Sequence, residues 1–596
     1  MASRSKTVLN SFFTKWAHLS RKNSSTKHAV DELPLRAELF SAEQMVQHGK
    51  VLAGLHRIKY GRSHRSLLVR LADNEDILLQ VYHLLTEDVR TDRRITPAAE
   101  WLLDNFYLIE EQIRTAKRHF PKAYSRELPH LLKGPLAGFP RVYEIALEII
   151  SHGDGRVDPE NLISFVTAYQ SVTTLKLGEL WAIPIMLRLA LMENLRRVAA
   201  RIAMARIDRN RAEYWADRMT ETAAKDPKSL ILEVADMARS NPPMVSSFVA
   251  ELSRRLQGQV PALSLPLTWI EQRLSEAGLT IEQLVRLENQ QQAADQVSMS
   301  NSIGSLRFLG ALDWKEFVES MSAVEQILCE DPADVYEKMD FTTRDSYRHV
   351  VERIAKKHHL DECDVARYAI QLAIAGAARK DGNDRAAHVG FFLVAEGLAQ
   401  LEGVVVGRLS PTDVIRKISW KFPLLLYTGP IILLSLVFTG FMLARAYTDG
   451  VSGWILGLVG LLSLLCSSHL AVALVNWAAT LIAAPRLLPR MDFSKGIPQD
   501  LRTLVVVPTM LNNAQNVEEL VKALEVRYLA NQDDHLHYGL LTDFADATEE
   551  KLPGDDVLLQ LAVQRIAELN CKYPNPLSDT FYLFHRPRVW NPRDKT

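Results

Sequence analysis

The sequence predicts a chain in three parts: a mainly α-helical region, a two-helix transmembrane hairpin, and an incomplete α/β domain. Apolar residues recur at helical spacing from about Leu35 to Leu409. Two long apolar runs then lie between Phe422 and Pro485. After Leu501, short β-branched runs alternate with helical stretches, which is typical of an α/β domain.

These patterns divide the 596 residues into segments. We expect a basic tail (1–34), a helical cytosolic region (35–288), a second helical segment (289–410), transmembrane helices (422–446 and 453–484) and an α/β domain (500–596). The tail lacks a long apolar core, so we expect it to be flexible, with a lipid-binding arm as the alternative. The stretch Asn289–Ser305 is rich in Gln and Ser and predicts a linker between the helical segments.

Composition excludes several classes of protein. The formal net charge of -1 argues against a nucleic-acid binder, which normally has a basic excess. The four cysteines lie far apart without metal-ligand spacing, so neither a disulfide framework nor a zinc-cysteine site is indicated. This cysteine usage is compatible with reducing cytosol.

Within the helical region, Thr96 and Pro97 resemble a cap and first turn. A later stripe of apolar residues predicts a buried helix face; its members are Leu187, Leu191, Leu195, Val198 and Ile202. The arginines around this stripe favour a solvated face with helix-pair partners over an anionic lipid or nucleic-acid surface; they are Arg188, Arg196, Arg197, Arg201 and Arg206.

One polar stretch carries metal-ligand types of side chain. His358 and His359 are followed by Asp361, Glu362 and Cys363. Because these residues are nearly consecutive rather than on one helix face, we favour a hydrophilic turn over a metal site.

The two apolar runs predict a membrane hairpin. The first has more than twenty residues without a charge, enough to cross a hydrocarbon core of about 30 Å. The second is longer than one crossing needs, so its last part is either a tilted end or an interfacial helix. The alternative is a pair of buried helices in a large soluble core.

Flanking cations predict the orientation of this hairpin. Lysine and arginine collect on the cytoplasmic side; here they are Arg416, Lys417 and Lys421 before the hairpin, and Arg486, Arg490 and Lys495 after it. Both termini should therefore be cytoplasmic. His469 lies near the middle of the second run, where an ionisable residue is a functional candidate; the alternative is a neutral imidazole that a neighbouring helix satisfies.

The carboxyl-terminal segment reads as strand, helix, strand, helix, strand. The first strand, Leu501–Pro508, is a β-branched run of the kind that lies buried on both faces of a parallel sheet. The second ends at Asp543 and the third covers Phe581–Phe584. Three strands would leave an exposed sheet edge.

Ligands of open α/β sheets bind beyond the carboxyl ends of the strands. Thr509 and Asp543 fall at such ends, and Asp546 follows closely. A carboxylate there can accept hydrogen bonds from a base or ribose, while the alternative is a cap on the following turn. The segment contains no G-x-G-x-x-G, P-loop or H-E-x-x-H motif, so the usual dinucleotide, nucleoside triphosphatase and zinc-peptidase readings are excluded.

Several long blocks resemble bacterial cyclic β-1,2-glucan synthases. In the carboxyl-terminal segment they are RTLVVVPTM, VEELVKALEVRYLANQD, LLTDFADA and FYLFHRPRVWNPR. In the helical region they include TPAAEWLLDNFYLIEEQI, LKLGELWAIPIMLRLALMENLRRVA and MDFTTRDSYRHVVERIA. The order of these blocks predicts the amino-terminal portion of such a synthase, up to the start of its glycosyltransferase domain.

The resemblance implies an inner-membrane enzyme that takes glucose from UDP-glucose on the cytoplasmic side and extends a β-1,2-linked glucan. It implies a GT-A-like domain in which Thr509 and Asp543, with Asp546 as a further candidate, hold the uridine part of the donor. It also implies a divalent cation, Mg²⁺ or Mn²⁺, held by a D-x-D motif. No D-x-D follows Asp546, nor do the family's catalytic base and Q-x-x-R-W-type helix, so the resemblance assigns no catalytic and no metal-binding residue here.

Two functions follow as hypotheses. The first is a segment of a glucan synthase that is inactive alone and works with a downstream half of the enzyme. The alternative is a non-catalytic membrane adaptor whose helical region binds a protein. The partners expected for the first are UDP-glucose and membrane lipid, without nucleic acid.

Overall fold

A computed structural model describes residues 33–61, 66–120, 127–258, 261–379, 385–406, 423–482, 488–547, 549–576 and 578–589. Almost all of the predicted tail, and the cations Arg416, Lys417, Lys421 and Arg486, lie outside these residues. The chain forms two compact units. The first comprises Met1–Glu330 and Arg348–Leu372, and the second comprises Asp331–Tyr347 and Ala373–Thr596.

The first unit is helical, as predicted. Its helices up to the long central one are α1 (Ala42–Leu55), α2 (Leu67–Arg90), α3 (Pro97–Asp104), α4 (Phe106–His119), α5 (Arg141–His152), α6 (Pro159–Gln170) and α7 (Leu177–Lys225). Those that follow are α8 (Leu230–Arg239), α9 (Ser246–Leu256), α10 (Ser264–Ser275), α11 (Ile281–Ala311), α12 (Trp314–Met321) and α13 (Ala323–Leu328). Two short strands, β1 (Ile58–Lys59) and β2 (His130–Leu131), pair antiparallel. Helices α14 (Phe341–His358) and α15 (Glu362–Arg379) contribute to both units.

Helix α7 runs through two hydrophobic clusters of the first unit. It is 49 residues long, and the predicted apolar stripe from Leu187 to Ile202 is buried. This part packs in the larger hydrophobic cluster with α1 to α6 and α11. The part from Ala212 to Ala223 packs in a second cluster with α8, α9 and α10. One helix therefore carries two separate cores.

The arginines of α7 contradict the predicted solvated face. Arg196 and Arg206 are only 1% and 3% exposed. Arg206 Nε donates to Asp88 Oδ2 over 2.9 Å, and Arg196 Nη2 donates to Glu193 Oε1 over 2.7 Å. The predicted helix-pair partner is present for Arg206, since Asp88 lies on α2, but the predicted solvation is wrong for both arginines. Periodicity places a charge on a helix face without revealing which carboxylate of another helix packs against it.

Glu193 is the centre of the most densely charged part of this core. Its side chain is fully buried and accepts hydrogen bonds from Arg70, Arg196, Arg197 and Asn74 over 2.7 to 3.0 Å. Burial would raise the pKa of Glu193, but the charges of Arg196, Arg70 and Arg197 outweigh it and hold the pKa well below its usual range. The carboxylate therefore stays ionised at physiological pH.

The predicted linker at Asn289–Ser305 is wrong, because these residues lie inside the continuous helix α11. Ser298 and Ser302 are fully buried, and Asn194 Nδ2 donates to their hydroxyl groups over 3.1 and 3.0 Å. The short polar side chains thus form a hydrogen-bonded contact between α11 and α7. The sequence signal was misleading because Ser and Asn are also common in linkers.

A buried ion pair anchors the first turn of α7. Arg141, at the start of α5, donates from Nε and Nη2 to the two carboxylate oxygens of Glu179, each over 2.6 Å. Both side chains are almost fully buried. Glu179 also accepts from the backbone N–H of Lys176 over 3.0 Å, so one carboxylate caps α7 and joins it to α5.

The polar stretch from His358 to Cys363 forms the predicted turn between α14 and α15. His359 has a φ of 55°, the left-handed conformation that commonly ends a helix. Glu362 is not solvated, however: it is 3% exposed and accepts from the backbone N–H of Leu177 over 2.9 Å. Burial raises the pKa of Glu362 to about 7.

The second unit contains the two apolar helices. They are α18 (Pro423–Thr448) and α19 (Trp454–Ile482), which follow the short helices α16 (Val389–Val394) and α17 (Leu398–Val406). Both are long and apolar enough to cross a membrane, and only 11% of each span is buried. Such low burial does not fit the alternative of core helices in a soluble protein.

The two apolar helices pack together as a hairpin. Tyr427, near the start of α18, donates its hydroxyl to Asn476 Oδ1, near the end of α19, over 2.8 Å. Small side chains are buried where the helices meet, as is common between membrane helices; they are Ser435, Thr439, Ser467 and Ala471.

The carboxyl-terminal α/β arrangement is confirmed. Its elements are β3 (Thr503–Leu511), α20 (Ala514–Ala530), β4 (Leu536–Phe544), α21 (Asp555–Lys572) and β5 (Phe581–His585). The strands form a parallel sheet in the order β3, β4, β5. Both helices pack in one cluster with the same strand residues, among them Leu540 and Phe581, so they cover one face of the sheet.

The first strand is not buried on both faces, contrary to our prediction. Leu504 and Val506 are each 41% exposed, and their alternation with Val507 places them on the face without helices. Leu541 and Phe584 pair with each other on that face and are 43% and 41% exposed. A β-branched strand is buried on both sides only when helices cover both faces of the sheet. Here both crossover helices lie on the same face.

We expect the substitution Arg141→Met to lower the free energy of unfolding around α5 and α7 by about 3–5 kcal/mol, because the Glu179 carboxylate would stay buried without its partner. Amide hydrogen exchange of these helices measures the change. The matched control is Arg273→Met, whose partner Glu276 is 59% exposed; it should cost less than about 1 kcal/mol. Equal effects of the two substitutions would contradict the anchoring role.

We expect the free energy of unfolding of Glu362→Gln, measured relative to wild type, to be higher at pH 8 than at pH 5. The folded-state pKa of about 7 lies above the usual value of 4.5, so folding takes up a proton between these values and wild-type stability falls as pH rises through this window. Glutamine does not ionise, so the variant does not lose the stability that wild type loses when Glu362 gives up its proton. This loss is on the order of 1–3 kcal/mol. Thermal unfolding at both pH values checks it, with exposed Glu282→Gln as the control. A pH-independent difference would refute the assignment.

Candidate functional site

The carboxyl edge of the parallel sheet carries the residues that the sequence singled out. Thr509 near the end of β3 pairs with Thr542 of β4, and Met510 pairs with Asp543. Because successive strand residues point to opposite faces, Thr509 lies on the helix-covered face and Asp543 on the open face. The structure thus brings the two residues to one edge but not to one face.

Asp543 forms an ion pair with Arg586, which directly follows β5. The Asp543 side chain is 24% exposed, whereas that of Arg586 is 76% exposed. The backbone N–H of Arg586 also donates to the carbonyl oxygen of Thr542 over 2.9 Å. The chain after β5 therefore crosses the end of β4 and places a largely solvated guanidinium beside the carboxylate.

A second arginine lies at the same edge. Arg588 Nε donates to the carbonyl oxygen of Ala545 over 2.8 Å, and its Nη1 donates to Asp555 Oδ2 over 2.6 Å. Its guanidinium carbon lies 5.0 Å from the centre of the Phe544 ring, a cation–π distance. The hydrogen bond from Arg588 lowers the pKa of Asp555.

A histidine completes the helix-covered side of the edge. His585 Nδ1 lies 3.0 Å from Thr542 Oγ1, and the His585 ring meets Phe544 edge-on at 4.5 Å. Asp546 follows in the loop after β4 and is exposed.

The edge therefore combines the Asp543 carboxylate on the open face with the largely exposed guanidinium of Arg586, whereas Arg588 is held by Asp555. A carboxylate acceptor beside an exposed guanidinium is able to hold a polar group and an anion together.

Sequence reasoning missed His585, Arg586 and Arg588. The signal was available, because these residues directly follow the third strand and hence share the carboxyl edge with Asp543. Their importance rests on tertiary structure, since 43 residues separate Arg586 from Asp543.

The residues present at this edge do not fit a divalent-cation clamp. Asp543 is paired with Arg586, and Asp555 is paired with Arg588. A clamp requires several free oxygen ligands around one ion, and guanidinium partners oppose a second positive charge there.

The intramembrane candidate, His469, lies on α19 and is exposed rather than packed against α18. It therefore does not face its neighbour within the hairpin.

Comparison with known proteins bears on the whole chain. No protein-family model matches it. In an alignment 577 residues long that covers 94% of this chain, it is 33% identical to the cyclic beta-(1,2)-glucan synthase NdvB of Rhizobium meliloti (strain 1021). It spans only about a fifth of that protein's length. This similarity confirms the predicted resemblance to bacterial cyclic β-1,2-glucan synthases, and the coverage is consistent with their amino-terminal portion.

Proposed function

We propose, from this similarity, that the chain is part of a membrane enzyme that transfers glucose from UDP-glucose to a growing β-1,2-glucan. The observation that carries the proposal is the 33% identity over 577 residues to a protein named as a cyclic beta-(1,2)-glucan synthase. The alignment covers 94% of the chain.

The site supports a donor-binding role for the sheet edge. In open α/β sheets, a ligand binds beyond the carboxyl ends of the strands, where Thr509 and Asp543 lie. In this proposal the Asp543 carboxylate accepts a hydrogen bond from the uridine part of UDP-glucose, and Thr509 lies at the neighbouring strand end. Arg586, 76% exposed, supplies positive charge for the diphosphate.

Binding of the donor would change the partners of Asp543. Its carboxylate oxygens can accept hydrogen bonds from Arg586 and from an N–H or O–H group of the uracil or ribose at the same time, because an ionised carboxylate has about four lone-pair sites. Asp546 lies close behind in an exposed loop and is a further candidate for the same part of the donor. We place the α/β segment in a GT-A-like domain on this basis.

The proposed setting is the bacterial inner membrane. The helices α18 and α19 would cross the bilayer, and the cations Arg490 and Lys495 after the hairpin would keep the sheet on the cytoplasmic side, where UDP-glucose is available. The divalent cation that the family uses, Mg²⁺ or Mn²⁺, would be held by residues other than Asp543 and Asp555. A downstream half of the synthase is the proposed partner for the chemical step.

We expect Asp543→Ala to weaken UDP binding by about tenfold or more, because a hydrogen bond to a charged group contributes about 1.5–3 kcal/mol. Calorimetric titration of the full chain in detergent with UDP measures this. The matched control is Asp534→Ala, an exposed carboxylate at the opposite end of the same strand, which should leave the affinity within about twofold, since it makes no donor contact. Equal affinity of Asp543→Ala and wild type would refute the site.

We also expect membranes containing only this chain to make no labelled glucan from labelled UDP-glucose. The reason is that Asp543 and Asp555 are paired with arginines and the sequence holds no D-x-D after Asp546 to stabilise the leaving diphosphate. Thin-layer separation of labelled product checks this, with membranes containing a complete synthase as the control. Labelled glucan from this chain alone would overturn the assignment.

A further inference from the structure

The first unit contains a cluster of two histidines and a glutamate on two of its helices. Among the residues that the structure describes, His48, Glu148 and His152 form a group whose ligand atoms all lie within 4.8 Å of one another. His48 lies on α1, and Glu148 and His152 are one turn apart on α5. Their i, i+4 spacing places both α5 side chains on one helix face, toward α1.

The distances within this cluster are close to those around a zinc ion. His48 Nε2 lies 2.9 Å from Glu148 Oε2, and His152 Nε2 lies 3.3 Å from the same oxygen. Two ligands bound to zinc at about 2.0–2.1 Å in a tetrahedron are separated by about 3.3 Å. Two of the three ligand separations are therefore close to those of a zinc site, and all three are within 4.8 Å.

The hydrogen bond on the far side of His152 decides which nitrogen is available. His152 Nδ1 lies 2.7 Å from the backbone carbonyl oxygen of Glu38. A carbonyl oxygen only accepts, so Nδ1 carries the proton. In the neutral ring, Nε2 then presents a bare lone pair to the Glu148 carboxylate.

The lone pairs of His152 Nε2 and Glu148 Oε2 repel each other at 3.3 Å, so a positive charge between the two atoms would stabilise this arrangement. That charge is either a second proton on His152 or a metal ion. Most metal-binding histidines are oriented by a hydrogen bond from the outer ring nitrogen to a carboxylate, a backbone carbonyl or a water.

The rings are further held by aromatic neighbours. Phe40 stacks on His152 with ring centres 3.7 Å apart and meets His48 edge-on at 5.4 Å. The cluster nevertheless remains open to solvent, since the side chains of His48, Glu148 and His152 are 25%, 30% and 11% exposed. An ion could enter, and a water could complete its coordination.

We propose that His48, Glu148 and His152 bind one Zn²⁺ ion and thereby clamp α1 to α5. Two imidazole nitrogens and one carboxylate form a donor set that zinc takes readily, whereas magnesium and calcium prefer oxygen ligands. The ion joins residues about a hundred positions apart in the chain, so binding it stabilises the folded unit.

The test is a titration of the full chain in detergent, free of any affinity tag, with Zn²⁺ at pH 7.5 against a chromophoric chelator. Wild type should bind one equivalent. His152→Gln and His48→Gln should each lower the affinity by about tenfold or more. The control His83→Gln removes an exposed histidine of the same unit and should bind like wild type.

Two further measurements separate loss of a ligand from loss of the fold. Co²⁺ in place of Zn²⁺ should give the visible absorption of a low-coordinate site in wild type and His83→Gln but not in the two ligand variants. Hydrogen exchange without metal should be the same in α5 of all four proteins, and Zn²⁺ should slow it only in wild type and His83→Gln. If wild type binds no Zn²⁺, or if both ligand variants bind it as tightly as wild type, the positive charge is a proton and the proposal is wrong.

Discussion

Burial of charged side chains along α7 is the constraint on which the first unit depends. An ionised carboxylate loses several kcal/mol on leaving water unless it is paired and hydrogen-bonded. Glu179 and Glu193 meet this condition through Arg141 of α5 and Arg70 of α2. Because a bidentate guanidinium–carboxylate pair is geometrically specific, the pairs of Arg141 with Glu179 and of Arg70 with Glu193 favour one placement of α7 against α5 and α2.

The same logic explains the serine-rich face of α11. Hydroxyl groups buried against α7 would destabilise the core if they were unpaired, but Asn194 reaches both Ser298 and Ser302. The small side chains also let the two helices approach closely. Polar composition in this stretch is therefore a property of a helix–helix contact.

The α/β segment is organised by a different constraint. The strands follow one another in sequence order, both crossover helices lie on one face of the sheet, and the other face keeps its apolar side chains exposed. Asp543 lies on that open face beside Arg586. Any group that covers this face would lower the local dielectric and strengthen the ion pair, which links the burial of the sheet to the electrostatics of the proposed donor site.

The sequence by itself determined the elements whose signal is local. Periodicity was sufficient for the buried stripe of α7, for the two apolar helices, and for the strands that end near Thr509 and Asp543, because each depends on neighbours a few residues away. The tertiary structure alone decided what depends on distant partners. Examples are the burial of Arg206 by Asp88, the pairing of Arg586 with Asp543, and the meeting of His48 with His152. In each case the environment of a side chain is set by a residue on another element. The spacing of nearby residues in the sequence does not reveal which distant residue this is.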